Sequence, residues 1–299
     1  MEIEVKGHSG CSVNIVREGK KLIIVKGTND PKYVSRLEKQ ALKQKEVSKI
    51  EYQFVRIPHI YSIEKSSSSL LIKMEYIYSK NYIEHFEAAG FEQVEYFINA
   101  MKLFLEKEIS FSPTQTISRL IIEKKFEDVK QKINSNPLLK NDSIINSILF
   151  QSNNIFKNLP KEIFLPVGRC HGDLTFSNIL FNGNNCYLID FLDSFIESPI
   201  MDMVKLRQDS AYRWSTLMYN GTYDETRLKI VSQKIDKELT AYFSDYDWYK
   251  SYYKPFQIMN FLRILQYAKE IKIIDYLKTI LIELLKNTTY EFNNTCSCR

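Results

Sequence analysis

Three oxygen-bearing side chains fall within one short stretch of the chain: Asp173, Asn178 and Asp190. The stretch reads Cys170-His171-Gly172-Asp173-Leu174-Thr175-Phe176-Ser177-Asn178-Ile179-Leu180, a turn, and then Tyr187-Leu188-Ile189-Asp190-Phe191-Leu192-Asp193. Asn182-Gly183-Asn184-Asn185 predicts the turn, because Gly and Asn tolerate the left-handed backbone that a hairpin requires. Cys186 to Ile189 then makes a short strand that delivers Asp190 back beside the Asp173–Asn178 loop. One carboxylate is thereby free to act as a base, while an amide oxygen and a second carboxylate can share a hard cation. Oxygen-only ligands suit Mg²⁺, which keeps much of its shell for water and substrate phosphates. Phosphoryl transfer needs that arrangement: one Asp orients the attacking hydroxyl, and an Asn and another Asp hold the metal. The bland alternative is a His-Gly-Asp turn with Asp190 as a strand-end cap. The full set of His171, Asp173, Asn178 and Asp190 outweighs it.

These residues resemble the catalytic signature of the aminoglycoside phosphotransferase/choline kinase superfamily, small-molecule kinases with a protein-kinase-like fold. The resemblance rests on His171-Gly172-Asp173-x-x-x-x-Asn178 followed by Ile189-Asp190-Phe191-x-Asp193. His-Gly-Asp stands where protein kinases have His-Arg-Asp, and Ile-Asp-Phe where they have Asp-Phe-Gly. It implies Asp173 as catalytic base, Asn178 and Asp190 as Mg²⁺ ligands, and His171 as the residue that shapes the loop. Asp193 either assists the metal or caps the turn. Ser198-Pro199-Ile200-Met201-Asp202 matches a family Pro-x-x-Asp element, in which the Asp is usually structural. The fold implied is α+β and bilobal, with a small β-rich N-lobe and a larger, mostly helical C-lobe.

At 299 residues the chain is long enough for two lobes, each with its own core. Its hydrophobic fraction of 44% and charged fraction of 26% are those of a globular protein. The net charge of +5 comes without a dense Lys/Arg run, which argues against a nucleic-acid partner and suits an anionic co-substrate. Five scattered cysteines do not form a disulfide framework. Met1 to Gly10 lacks the apolar core of a signal peptide, and Lys272, Asp275, Lys278 and Glu283 interrupt the most apolar C-terminal run. A cytoplasmic protein without a membrane partner is the expectation.

Before the signature, alternation predicts strands at Glu2–Val5, Val13–Val16 and Leu22–Lys26, with Gly7-His8-Ser9-Gly10-Cys11-Ser12 between the first two. Strand, glycine loop, strand, turn and strand ending in Lys is the layout of a kinase nucleotide lobe. Backbone N–H groups around Ser9, Gly10 and Ser12 would approach phosphates, and Lys26 would reach their oxygens. The loop is similar to the family's looser Gly-x-Ser-x version, not a full Gly-x-Gly-x-x-Gly. Pro31 to Val47 is helical, carrying Glu38 as the candidate ion-pair partner of Lys26; Glu46 and Glu51 are alternatives, and a solvated carboxylate is the rival reading. Phe54 to Ile63 reads as a strand broken at Pro58. Leu70 to Ile77 is a strand ending where kinases have their hinge, and the resemblance implies adenine contacts at Glu75 and Ile77. The N-terminal nucleotide-binding lobe is therefore expected over 1–78 and the C-terminal lobe over 79–299.

Helical periodicity dominates from Tyr82, with a break at Gly90. Ser112-Pro113 predicts a helix opening there and running to about Ile133, stopped by Asn136-Pro137. Ile144–Phe156 is a further helix. Beyond Asp202 lie Lys205, Arg207, Arg213 and a cluster of Asp245, Asp247, Trp248, Tyr249, Tyr252 and Tyr253. That cluster suits an aromatic cage for a quaternary amine or a carboxylate-lined aminoglycoside pocket, and plain helix packing is favoured over both. Arg207 and Arg213 either meet an anionic acceptor or sit on a solvated face. The reading is a kinase using Mg²⁺ and ATP, with GTP admitted, to phosphorylate a hydroxyl of a small molecule. A sugar, amino sugar or small alcohol leads; choline or ethanolamine follows, then an aminoglycoside. A catalytically silent nucleotide-binding scaffold is the alternative from another class.

Overall fold

The protein is described by a computed structural model covering residues 2–5 and 11–296. Alternating apolar residues fold the first quarter of the chain into β1 (Glu2–Val5), β2 (Ser12–Glu18) and β3 (Lys21–Thr28), followed by α1 (Pro31–Val47). Next come β4 (Val55–Arg56), β5 (Ile60–Lys65) and β6 (Leu70–Glu75). Five of these strands form an antiparallel sheet in the order β1-β2-β3-β6-β5. Helix α1 starts at an Asp30 cap with Pro31 in its first turn, where a missing N–H costs nothing. It lays Val34, Leu37 and Ala41 against Ile60, Leu70 and Ile72 to close a small separate core. The strand expected over 54–63 is two strands in two sheets: past Pro58, which cannot donate to a ladder, β5 joins the first sheet, whereas β4 lies elsewhere.

The remainder is mostly helical: α2 (Tyr82–Ala88), α3 (Phe91–Ser110), β7 (Thr114–Ser118), α4 (Arg119–Ser135), α5 (Ser143–Asn158) and β8 (Glu162–Pro166). Then follow β9 (Ile179–Asn182), β10 (Asn185–Leu188), α6 (Pro199–Ser210), α7 (Glu225–Phe243), α8 (Asp247–Leu265) and α9 (Ile271–Cys296). The fold is α+β, a small β-rich N-lobe and a larger, mostly helical C-lobe. One expectation fails at Ser112-Pro113. The Ser112 hydroxyl donates back to the Glu108 carbonyl at 2.8 Å and closes α3. The segment Thr114-Gln115-Thr116-Ile117, three of whose residues are β-branched, pairs with β8, and Ser118 caps α4 instead.

The large core runs through the helices and up to the predicted hairpin. Phe86, Phe97, Phe176 and Phe181 pack edge-to-face or tilted, with ring centroids 5.2–5.7 Å apart. Phe176 and Phe181 flank Asn178, so the stretch bearing it is nailed down on both sides; burying each such ring contributes about 1.5–3 kcal/mol. Among the described residues no helix is long and apolar enough to cross a membrane.

Candidate active site

The hairpin forms where expected: β9 pairs with β10 antiparallel, Ile179 opposite Leu188, and Gly183 takes φ +58° in the turn. Strand β4 adds to β10 as a parallel neighbour. The Ile189 N–H donates to the Asn178 carbonyl at 3.1 Å, which brings Asp190 next to the Asp173–Asn178 loop. Asp190 itself adopts φ +62°, a left-handed conformation that costs a residue with a Cβ about 1–2 kcal/mol. Its carboxylate Oδ1 lies 2.6 Å from Lys26 Nζ, a lysine only 8% exposed.

His171 and Gly172 are fixed from below. Asp202 is fully buried and accepts the His171 N–H at 2.6 Å and the Gly172 N–H at 2.7 Å. Burial pushes its carboxyl up to about 8, with those two bonds opposing the rise. The structural role expected of Asp202 is the role it has. Gly172 sits at φ +85°, and a Cβ there would be driven into the backbone carbonyl of Leu192, whose N–H donates to the His171 carbonyl at 2.9 Å. His171 is wholly buried against Phe191, ring centroids 4.2 Å apart, and accepts the Asp173 N–H on Nδ1 at 3.2 Å. Burial lowers its pKa to about 4 despite the nearby Asp173 and Asp190 carboxylates, so the ring is neutral. It shapes the loop and carries no charge.

Asp173 has two neighbours. Lys205 Nζ stands 3.0 Å from Oδ1, and the Asn178 amide donates to Oδ2 at 3.0 Å and to the Asp173 carbonyl at 2.8 Å. Burial acts to raise the Asp173 pKa, but the Lys205 charge and hydrogen bond, with His171 and Asn178, outweigh it and hold the carboxyl below the usual range. Because Asn178 spends its amide nitrogen on Asp173, its Oδ1 accepts no hydrogen bond among the described residues. One Asp190 oxygen is likewise left beside the one held by Lys26. A neutral oxygen and a carboxylate oxygen are a donor pair that fits Mg²⁺. Among the described residues no cluster of three or more His, Cys, Asp or Glu side chains could hold a metal, so such an ion would need substrate phosphates to complete its shell.

The nucleotide-facing expectations divide. Ser12 opens β2 with its hydroxyl on the Gly27 carbonyl at 3.3 Å, one register step from the Val13–Lys26 pair; Ser9 and Gly10 lie outside the described residues. Glu75 ends β6 with its N–H on the His59 carbonyl at 2.8 Å, and Ile77 is buried just beyond, its carbonyl accepting the Ser79 hydroxyl at 3.2 Å. Glu38 is not beside Lys26. It points to the outer side of α1 and pairs with Lys65 at 2.6 Å, because the inward positions of the helix are the apolar and amide ones, Val34, Leu37, Gln40, Ala41 and Gln44. Of the alternatives, Glu46 is paired to Lys49 on the surface.

Helix α6 supplies a set that the sequence reading did not join, having named Asp202 and Lys205 separately and not Asp209. Asp202, Lys205 and Asp209 occupy positions i, i+3 and i+7, one face of a helix. Asp209 accepts the Phe176 N–H at 2.7 Å and the Ser215 N–H at 2.7 Å, and burial pushes its carboxyl up to about 6. A polar stripe at helical spacing in an otherwise apolar segment was the available signal. Lys43 was also missed: from α1 it reaches the Leu192 carbonyl at 2.7 Å and Glu197 at 2.6 Å. Arg207 is not free for an acceptor, because Asp236 grips it through two oxygens at 2.8 and 3.1 Å and it stacks 4.4 Å over Tyr253. Arg213 lies 3.6 Å from Glu225. Tyr249 and Tyr253 are buried and pack helices, the plainer of the readings for that cluster.

Residues 139–236, which contain the hairpin and the polar stripe of α6, match the model of the APH phosphotransferase enzyme family. No curated protein matches the sequence. Among solved structures, an APH enzyme bound to GDP and kanamycin superposes with a TM-score of 0.65 at 13% identity, covering 96% of this chain and 93% of that one. A choline/ethanolamine kinase family protein from Mesorhizobium loti gives 0.58 at 14% identity, covering 95% and 88%. A glucosamine kinase bound to glucosamine, ADP and inorganic phosphate gives 0.60 at 10% identity, covering 97% and 81%. The fold is thus the kinase-like fold shared by enzymes acting on chemically diverse acceptors.

Proposed function

We propose that this protein is a kinase that transfers the terminal phosphoryl group of a nucleoside triphosphate, ATP or GTP, to a hydroxyl of a small molecule. The observation that supports it most directly is the Asp173–Asn178 contact. The amide nitrogen holds the base, the amide oxygen turns elsewhere, and Asp190 arrives on the adjoining strand already paired to Lys26. We assign the nucleotide-binding part to 1–78 and the acceptor-binding part to 79–299.

Asp173 accepts a hydrogen bond from the acceptor hydroxyl, aligns its oxygen with the phosphorus and takes its proton as the bond forms. The Lys205 contact keeps Asp173 ionised and makes it a weak base, which suits a loose transition state in which the proton leaves late. Lys26, drawn from Asp190 by the incoming nucleotide, binds phosphate oxygens. Asn178 and Asp190 would hold Mg²⁺, which when bound offsets the charge on the phosphates. His171, Asp202 and Asp209 keep the loop in place and touch no reactant.

The test is nucleotide consumption by the full chain with Mg²⁺ against sugars, amino sugars, amino alcohols and aminoglycosides, beside an Asp173→Asn variant. Acceptor-dependent release of nucleoside diphosphate that the variant lacks is expected. Wild-type turnover by Asp173→Asn would remove the assignment, and nucleotide binding with no transfer to any acceptor would identify a silent scaffold.

A further inference from the structure

A line of polar side chains leads from helix α8 through α6 to Asp173. The Asn260 amide donates to Gln208 Oε1 at 2.8 Å, and the same oxygen accepts Lys205 Nζ at 3.3 Å. Lys205 Nζ in turn stands 3.0 Å from Asp173 Oδ1. Gln208 and Asn260 are both buried. A buried amide is unfavourable where an apolar side chain would pack as well; what this pair does is hold the ammonium in one place.

An ammonium carries three N–H groups. Among the described residues Lys205 meets Asp173 and Gln208 and no third acceptor, so one N–H is unspent. The Lys205 side chain is 14% exposed and that of Asp173 25%, which leaves both open to a reactant. The other lysines of the site are placed differently. Lys43 is spent on the Leu192 carbonyl and Glu197, and Lys26 sits on Asp190.

The base is ionised, and the phosphoryl group that must come to it is itself anionic. Like charges repel strongly where water is scarce. The attacking oxygen lies about 2.6–3.2 Å from the Asp173 carboxylate and about 3–3.5 Å from phosphorus. The phosphoryl group therefore comes within about 6–7 Å of Asp173. An ammonium on a flexible four-carbon stem, 3.0 Å from Oδ1, reaches a group at that range.

We infer that Lys205 is a further catalytic residue, donating its unspent N–H to a non-bridging oxygen of the terminal phosphoryl group while its charge covers Asp173. This rests on the kinase reading above and adds to it a contact with the nucleotide from helix α6. In the transfer, a lone pair of the acceptor oxygen forms the new bond to phosphorus and the hydroxyl proton passes to Asp173. The electron pair of the broken bond leaves on the nucleoside diphosphate. Lys205 keeps its proton throughout.

Calorimetric titration of the full chain with Mg²⁺ tests this without knowledge of the acceptor, by comparing the β,γ-imido analogues of ATP and GTP with the corresponding diphosphates. The parent should prefer triphosphate, and Lys205→Met should lower that preference about tenfold or more while affinity for diphosphate holds. Lys205→Arg should keep part of it. An Asp173→Asn background separates a lost contact from an uncovered base, and it leaves no carboxylate stranded when Lys205 is removed. There too, adding Lys205→Met should cut the triphosphate preference about tenfold. Equal preference with and without Lys205 in that background would overturn the inference, as would a parent that binds no nucleotide or binds triphosphate no better than diphosphate. With an acceptor that is turned over, Lys205→Met should lower kcat about 100-fold. Turnover by the parent together with an unchanged nucleotide preference in Lys205→Met overturns the Lys205 contact and leaves the kinase reading standing. A preference lost with Lys205, in a chain that phosphorylates no acceptor, supports the contact and removes the kinase reading.

Discussion

Replacing Gly172 by Ala should do far more damage than replacing Gly183 by Ala, although both glycines adopt positive φ, +85° and +58°. At Gly183 the added Cβ meets nothing within 4 Å. The substitution there costs the left-handed penalty of about 1–2 kcal/mol, less about 0.4–1 kcal/mol returned by stiffening the unfolded chain. The net is about 1 kcal/mol. At Gly172 the same strain applies, but the Cβ also strikes the Leu192 carbonyl, whose carbon would lie 2.9 Å away. Backbone cannot rotate aside, so the loop must separate from the segment after Asp190. That breaks the Leu192–His171 bond of 2.9 Å and disturbs the Gly172–Asp202 bond of 2.7 Å, which leaves buried groups unpaired. Each of the two lost bonds costs about 1–3 kcal/mol, giving with the strain a total of about 3–7 kcal/mol. At about 2 °C per kcal/mol for a chain of this size, Tm should fall about 6–14 °C for Gly172→Ala and about 2 °C for Gly183→Ala. Thermal melts of the two variants beside the parent provide the comparison. Transfer by Gly172→Ala should also drop about 100-fold, since a displacement of an ångström between Asp173 and Asp190 is worth that much. Equal Tm losses in the two variants would refute the close-approach argument.

Asp190→Asn should retain the fold and lose transfer by about 1,000-fold or more, read as kcat beside a circular dichroism spectrum matching the parent. Asp202→Ala should lower Tm by several degrees, because the His171 and Gly172 N–H groups lose their acceptor at about 1–3 kcal/mol each; a melt at pH 7 checks it. His85 stacks on Phe181 with centroids 3.9 Å apart, and burial and then Lys80 lower its pKa to about 4. The folded chain refuses a proton that the unfolded chain takes near pH 6.5. Stability is therefore complete above pH 6.5 and declines as pH falls towards 4. His85→Phe keeps the stack without the titration, so denaturant melts should show it gaining on the parent by up to about 3 kcal/mol between pH 7 and 4.

The parts legible in the sequence are those whose cause is local. An Asn-Gly turn between two short apolar runs fixes a hairpin, and the hairpin alone carries Asp190 to Asn178. Alternation placed β2, β3 and β6, and helical spacing placed α1 and α3. Misjudged elements are those decided by a distant partner. Thr114–Ser118 is a strand only because β8 passes beside it, and proline after serine signals a helix start equally well. Glu38 looked inward on chemistry alone, yet the apolar stripe of α1 turns it outward to Lys65. The true partner of Lys26 lies 164 positions away. The spacing of Asp202, Lys205 and Asp209 marks one helix face but not what lies against it, so the Lys205–Asp173 contact could not be read from the sequence.

Lys43 has a consequence for control. In crossing from α1 to the Leu192 carbonyl and Glu197, this one ammonium anchors the helix of the β-rich half to the segment that bears Asp190. Swinging α1 outward would tear a cation from both oxygens at once and leave it stranded in a largely dry place. Displacement of α1 is thereby opposed by both contacts together, and the helix is tied to the position of the segment that follows Asp190.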